Sequence, residues 1–202
     1  MTTMADVLMV GSGRLSSVSR GFLEVGLVLT GSVVVAMFAQ LQYVLPFTPV
    51  PITGQTLAVL LVGAALGSRR GALAMGVYLA EGAVGIPVFA GGGLGLPWLL
   101  GPTAGYLWSL PLAAWIVGWL AERGWDRGPA TAVLSMLAGN AVIYLVGLPW
   151  LAVFVGWEQV LSAGLLPFIP GDLIKVAMAA AVLPTTWALV GRAQQWAGEH
   201  EA

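Results

Sequence analysis

The sequence predicts an all-α membrane protein of six transmembrane helices, with both termini on the cytoplasmic side. Three observations carry that prediction. The chain has 202 residues, of which 58% are hydrophobic and 8% charged, whereas a soluble domain carries about 25% charged residues. So few charges could not cover a soluble surface, and so much hydrophobicity excludes disorder. The charges also leave long gaps: 44 uncharged residues between Glu24 and Arg69, 40 between Glu81 and Glu122, and 30 between Arg127 and Glu158. Finally, six spans drawn through those gaps put every Arg on one side.

A span needs about 20 apolar residues. The first gap holds two spans, 22–45 and 53–67, separated where Pro46, Pro49 and Pro51 cluster. The third, 71–85, stops before Pro87. The fourth is 103–121, the fifth 130–155 and the sixth 171–190. Spans two and three are short, which predicts helices tucked inside the bundle. Residues 1–21 form a cytoplasmic N-terminal segment, 22–190 the membrane domain and 191–202 a cytoplasmic tail. The first apolar run is long and lacks a small-residue cleavage pattern before it, so it reads as a retained span rather than a signal peptide. Arg14 and Arg20 precede span one, Arg69 and Arg70 join spans two and three, Arg123 and Arg127 join spans four and five, and Arg192 follows span six. Basic residues gather on the cytoplasmic side of a bilayer. Five or seven spans would scatter them.

The loops on the opposite side are rich in Gly and Pro: 46–55, 85–103 and 164–171. Pro fixes φ and Gly permits positive φ, so such loops take compact shapes rather than solvated coils. Irregular backbone at membrane depth is tolerated where it is buried or lines a cavity. These segments are therefore either tight interfacial turns or the cap of a pocket open to the outer face.

Lys175 is the one Lys, and it stands apart from the Arg-lined side, at the outer start of span six. Asp172 lies three residues before it, so the two share a helix face. A charge within a span is costly. Asp172 caps the helix start while Lys175 pairs with it or snorkels, or else Lys175 receives an anionic ligand group while Asp172 accepts ligand N–H donors. Gln55, where the first outer loop enters span two, either reads a ligand or satisfies loop backbone. Asn140 and Tyr144 lie four apart on span five and face the bundle interior. Asn140 there serves as interhelical glue or as a ligand contact. Glu81, near the outer end of span three, has no assigned role. Trp98 lies inside the Gly-rich loop, where a belt anchor is expected before a ring that stacks on a ligand. Ser32 and Ala36, followed by Gln40, form a small-residue stripe suited to close helix packing.

Several classes of function are excluded. A net charge of −1 cannot hold nucleic acid by phosphate neutralisation. There is no Cys, and the one His is His200, so no metal site or Cys nucleophile is expected. The Lys is followed by Val176, so no phosphate-binding Gly-Lys-Ser/Thr loop exists and ATP hydrolysis must come from other chains. No nucleophile–base set suggests an enzyme.

Five ordered stretches carry a resemblance: Pro-Val-Pro-Ile-Thr-Gly-Gln-Thr (49–56), Leu-Gly-Ser-Arg-Arg-Gly-Ala (66–72), Gly-Ile-Pro-Val-Phe-Ala-Gly-Gly (85–92), Gly-Pro-Thr-Ala-Gly-Tyr (101–106) and Pro-Phe-Ile-Pro-Gly-Asp-Leu-Ile-Lys (167–175). Over about residues 22–190 the chain resembles the BioY family, the biotin-binding substrate-capture (S) subunits of energy-coupling factor transporters. The resemblance implies a six-helix S-component bundle in a prokaryotic cytoplasmic (inner) membrane, with biotin as transported ligand and no cofactor. It implies a transmembrane coupling subunit and two ATP-binding-cassette ATPases as partners. It carries ligand contacts onto Asp172 and Lys175, a ureido group meeting the acid and a carboxylate tail the ammonium. Tyr106 falls in a matching motif, and the family's flexible outer loop maps to 47–55. Relatives often place Asn or a basic residue where this chain has Gly93, and some place a basic residue where it has Leu107. Backbone N–H groups and Asn140 are then expected to complete the polar shell. An S-component for another vitamin, or a facilitator working without ATPases, are the alternative readings.

Overall fold

The computed structural model describes the backbone of residues 3–10 and 17–200 and the side chains of 3–7 and 19–191. Arg14 and the side chains of Arg192 and His200 lie outside the described residues. The helices in chain order are α1 (Met4–Val10), α2 (Ser17–Ala39), α3 (Gln55–Leu66), α4 (Ser68–Ala83), α5 (Leu96–Leu100), α6 (Ala104–Ala121), α7 (Pro129–Val155), α8 (Val160–Gly164) and α9 (Ile169–His200). Six of them, α2, α3, α4, α6, α7 and α9, occupy the stretches expected to span. Segments covering α2, α6, α7 and α9 are each long and apolar enough to cross a membrane, whereas α3 is a shorter apolar helix.

Differences from the expected elements have local causes. The first span was expected to reach residue 45, but α2 ends at Ala39. Gln40 ends it: its side-chain amide donates to the carbonyls of Ala36, Val88 and Phe89 and accepts from the Gly92 N–H. The chain then forms an antiparallel hairpin, β1 (Gln42–Tyr43) paired with β2 (Ile52–Thr53). The fold is therefore not purely helical. Beyond Ile52 the Val50 N–H donates to the Thr48 hydroxyl oxygen at 3.1 Å instead of across the hairpin. The tip is pinned instead by Thr48, whose hydroxyl donates to the Ala163 carbonyl at 2.7 Å. The terminal segments also hold more structure than expected: α1 forms before α2, and α9 continues to His200.

The centre of the bundle is α6, which packs against α3, α4 and α7, while α9 packs on α7 and α3 and α2 packs on α3 and α4. Glycine makes these approaches possible. A Cβ on Gly118 would lie 2.4 Å from the backbone of Gly67 and Ser68, and one on Gly63 would lie 2.7 Å from the Ala114 carbonyl. Gly67, at φ 86°, makes the one-residue turn from α3 into α4. The Ser68 N–H and hydroxyl both donate to Glu122 at that turn. Nearby Arg70 pairs with Asp6 at 2.8 Å and Glu24 at 3.2 Å. Burial pushes the Asp6 carboxyl up, but the Arg70 and Thr3 hydrogen bonds bring it to a net position below its ordinary value. Asp126, in the α6–α7 turn, accepts from the Trp187 indole. Burial nevertheless leaves its carboxyl above the ordinary carboxylate range.

Candidate functional site

At the end away from those arginines, α3, α6, α7 and α9 line a cavity. The hairpin contributes Val50 and Pro51 to its lining, the α4–α6 connection Ala90 and Trp98, and the segment before α9 Phe168.

Asp172 and Lys175 reach the cavity from the first two turns of α9. Asp172 is 8% exposed. Lys175 Nζ donates to Asp172 Oδ1 at 3.1 Å and to the Thr56 hydroxyl at 2.9 Å. The Tyr144 hydroxyl donates to the other Asp172 oxygen. The pair expected as a helix-start ion pair does form, and it forms at the wall of a void. Its hydrogen bonds span α3, α7 and α9, so the cluster forms only once these helices dock. The two charges were expected to hold two ends of one ligand. In the structure they touch each other, at 3.1 Å.

Gln55 is buried at the first turn of α3 and lines the cavity, and its side-chain Nε2 has no hydrogen-bond partner. It does not satisfy loop backbone, one of the two roles expected of it. Thr53 does that work, accepting from the Gln55 backbone N–H at 3.3 Å. Asn140 is also buried and lines the cavity. Tyr106 lines it with its ring, while its hydroxyl donates to the Gly164 carbonyl at 2.9 Å. The ring fits beside α7 because Gly147 offers no Cβ, which would lie 2.5 Å from Tyr106 Cδ1.

Gly93, expected at the site, is not among the lining residues. A Cβ there would lie 2.2 Å from Trp98 Cε2. Its missing side chain lets the Trp98 indole lie flat across the loop and supply the wall in its place. Trp98 therefore lines the cavity and is not simply a belt anchor. Its loop is held by Phe89, fully buried against Gly82. Phe89 meets Tyr78 edge-on at 5.5 Å and Trp98 at 6.5 Å. Tyr78 donates to the Val88 carbonyl at 3.1 Å. Leu107 also lines the cavity, apolar at the position where the resemblance puts a basic residue in some relatives.

Thr56 and the Tyr144–Asp172 bond were not anticipated. A hydroxyl in an apolar run gives no sign of its partner, and only the i, i+4 spacing from Asn140 pointed Tyr144 inward. Glu81 accepts from the buried Ser32 hydroxyl across α2 and α4, so the Ser32 stripe serves packing within the chain.

A profile of the BioY family matches residues 13–192. The chain belongs to the BioY family. A probable biotin transporter BioY of Pyrococcus horikoshii is 41% identical over 134 residues, covering 66% of this chain and 78% of the relative. The biotin transporter BioY of Rhizobium etli is 38% identical over 160 residues, covering 75% and 86%. The crystal structure of the S-component for biotin from an ECF-type ABC transporter superposes with a TM-score of 0.74 at 22% identity. That superposition covers 87% of this chain and 95% of that one. This BioY chain therefore has the S-component fold.

Proposed function

We propose that the chain is the biotin-capturing S-component of an energy-coupling factor transporter, a binding subunit and not an enzyme. The observation that carries this is the cavity beside the Asp172–Lys175 contact in a chain of the BioY family. The six helices cross a prokaryotic inner membrane, with Arg20, Arg69, Arg70, Arg123 and Arg127 on the cytoplasmic side. The positive-inside rule supports that orientation, and it opens the cavity to the outer face. A transmembrane coupling subunit and two ATPases supply the energy for release, since this chain has no phosphate-binding loop.

Asp172 and Lys175 grip the ureido ring of biotin. A cyclic urea carries N–H donors beside a carbonyl acceptor. The carboxylate accepts an N–H while the ammonium donates to the carbonyl, each a charge-assisted bond. Gln55 and Asn140 offer further amide groups to the same head. Trp98, Tyr106, Ile143 and Phe168 cover the bicyclic ring and aliphatic chain.

Calorimetric titration of biotin into the purified chain tests this. Lys175→Ala and Asp172→Asn are each expected to weaken binding by about 10–100-fold, as bonds to charged groups of about 1.5–3 kcal/mol require. Wild-type affinity in both variants would reject the site.

A further inference from the structure

Only two charged residues line the cavity among the described residues, and they touch. Asp172 already takes one bond from Tyr144 and one from Lys175. The Tyr106 hydroxyl is committed to the Gly164 carbonyl. The other lining residues carry no charge: Leu107, Ile143 and Phe168 are apolar, and Thr53, Gln55 and Asn140 are neutral polar groups.

A ligand carboxylate set against Lys175 would lie within a few ångströms of the Asp172 carboxylate. Two anions would then share one cation, leaving a net negative charge where little water screens it. A neutral urea avoids that conflict, because it satisfies both members of the pair and leaves the pair neutral. With its head at Asp172 and Lys175, a ligand's aliphatic tail carries its carboxyl end among uncharged lining residues, away from Lys175, the one cation that lines the cavity among the described residues.

From this the geometry points to a site that does not read the carboxyl group of its ligand by charge. Its substrate class extends beyond the free acid to carboxyl-blocked ureido ligands, the neutral amides and esters of biotin. This inference rests on the biotin reading above.

The test is competition binding on the full chain in detergent, with biotin, its primary amide and its methyl ester. Dissociation constants for the amide and ester within about tenfold of biotin, a gap of under about 1.4 kcal/mol, are the expected result. In Lys175→Ala, biotin and its amide should weaken by the same factor. An amide or ester more than about tenfold weaker than biotin would overturn the inference and leave the biotin reading standing. So would a Lys175→Ala variant that weakens biotin and spares the amide. If none of the three ligands binds the wild-type chain, the biotin reading itself falls.

Discussion

Lys175 spends its ammonium on Asp172 and Thr56, and Asp172 takes a further hydrogen bond from Tyr144. Each ligand bond to this cluster therefore exchanges with an internal one, and the net gain per bond is modest. A nanomolar site needs about −12.3 kcal/mol, which two or three such bonds cannot supply, so burial of the ring and chain against Trp98, Tyr106 and Phe168 must contribute much of it. Tyr144 has a distinct part, because its hydroxyl holds the Asp172 oxygen that Lys175 does not. Tyr144→Phe keeps the ring wall and removes that donor. It is expected to lower the melting temperature, as loss of a bond to a charged group of about 1.5–3 kcal/mol implies, and to weaken biotin binding by less than Asp172→Asn does. Calorimetry together with a melting curve checks both halves. Asp172 and Lys175 were legible in the sequence because charges stand out in an apolar chain. Thr56 was not, since its role depends on α3 meeting α9.

Among the elements, the six principal helices were legible from charge gaps and prolines, with ends correct to within a few residues except at the far end of α9, which runs on to His200, and at α2. There the helix stops because Gln40 turns its amide onto backbone carbonyls of its own helix and of the loop at 88–92. That is a tertiary contact, and hydropathy does not see it. The hairpin and the short helices α1, α5 and α8 were missed for a related reason: elements of two to seven residues carry too little periodicity to be read. The small-residue stripe at Ser32 and Ala36 hinted at close packing of α2 and gave no sign of Gly118, which lets α6 lie against the turn between α3 and α4. Its backbone contacts cannot move as the end of a side chain could. Gly118→Ala is expected to destabilise the bundle by about 1–3 kcal/mol, the range for overpacking a close contact. A lowered melting temperature for the purified variant is the expected measurement, and an unchanged one would mean the turn yields.

At the scale of the whole molecule, polar chemistry divides between two ends. The described arginines gather at the turns joining α3 to α4 and α6 to α7, and near the start of α2, tied by Arg70 to Asp6 and Glu24. The single Lys sits at the other end, under a cap built from the hairpin, the loop carrying Trp98 and the segment before α9. That division was readable from the sequence, because the spacing of charges along the chain reports which end of each helix they occupy. The shape of the cap was not, since Gly- and Pro-rich loops adopt one compact form only through contacts such as Tyr78 with Phe89 and Thr48 with Ala163. The central claim is that this capped cavity holds biotin by the Asp172–Lys175 contact. Native mass spectrometry of the chain purified from biotin-supplied membranes tests it most directly. The account predicts one biotin per wild-type chain and none retained by the Asp172→Asn, Lys175→Ala double variant. An empty wild-type chain, or a biotin adduct that survives the double substitution, would contradict it.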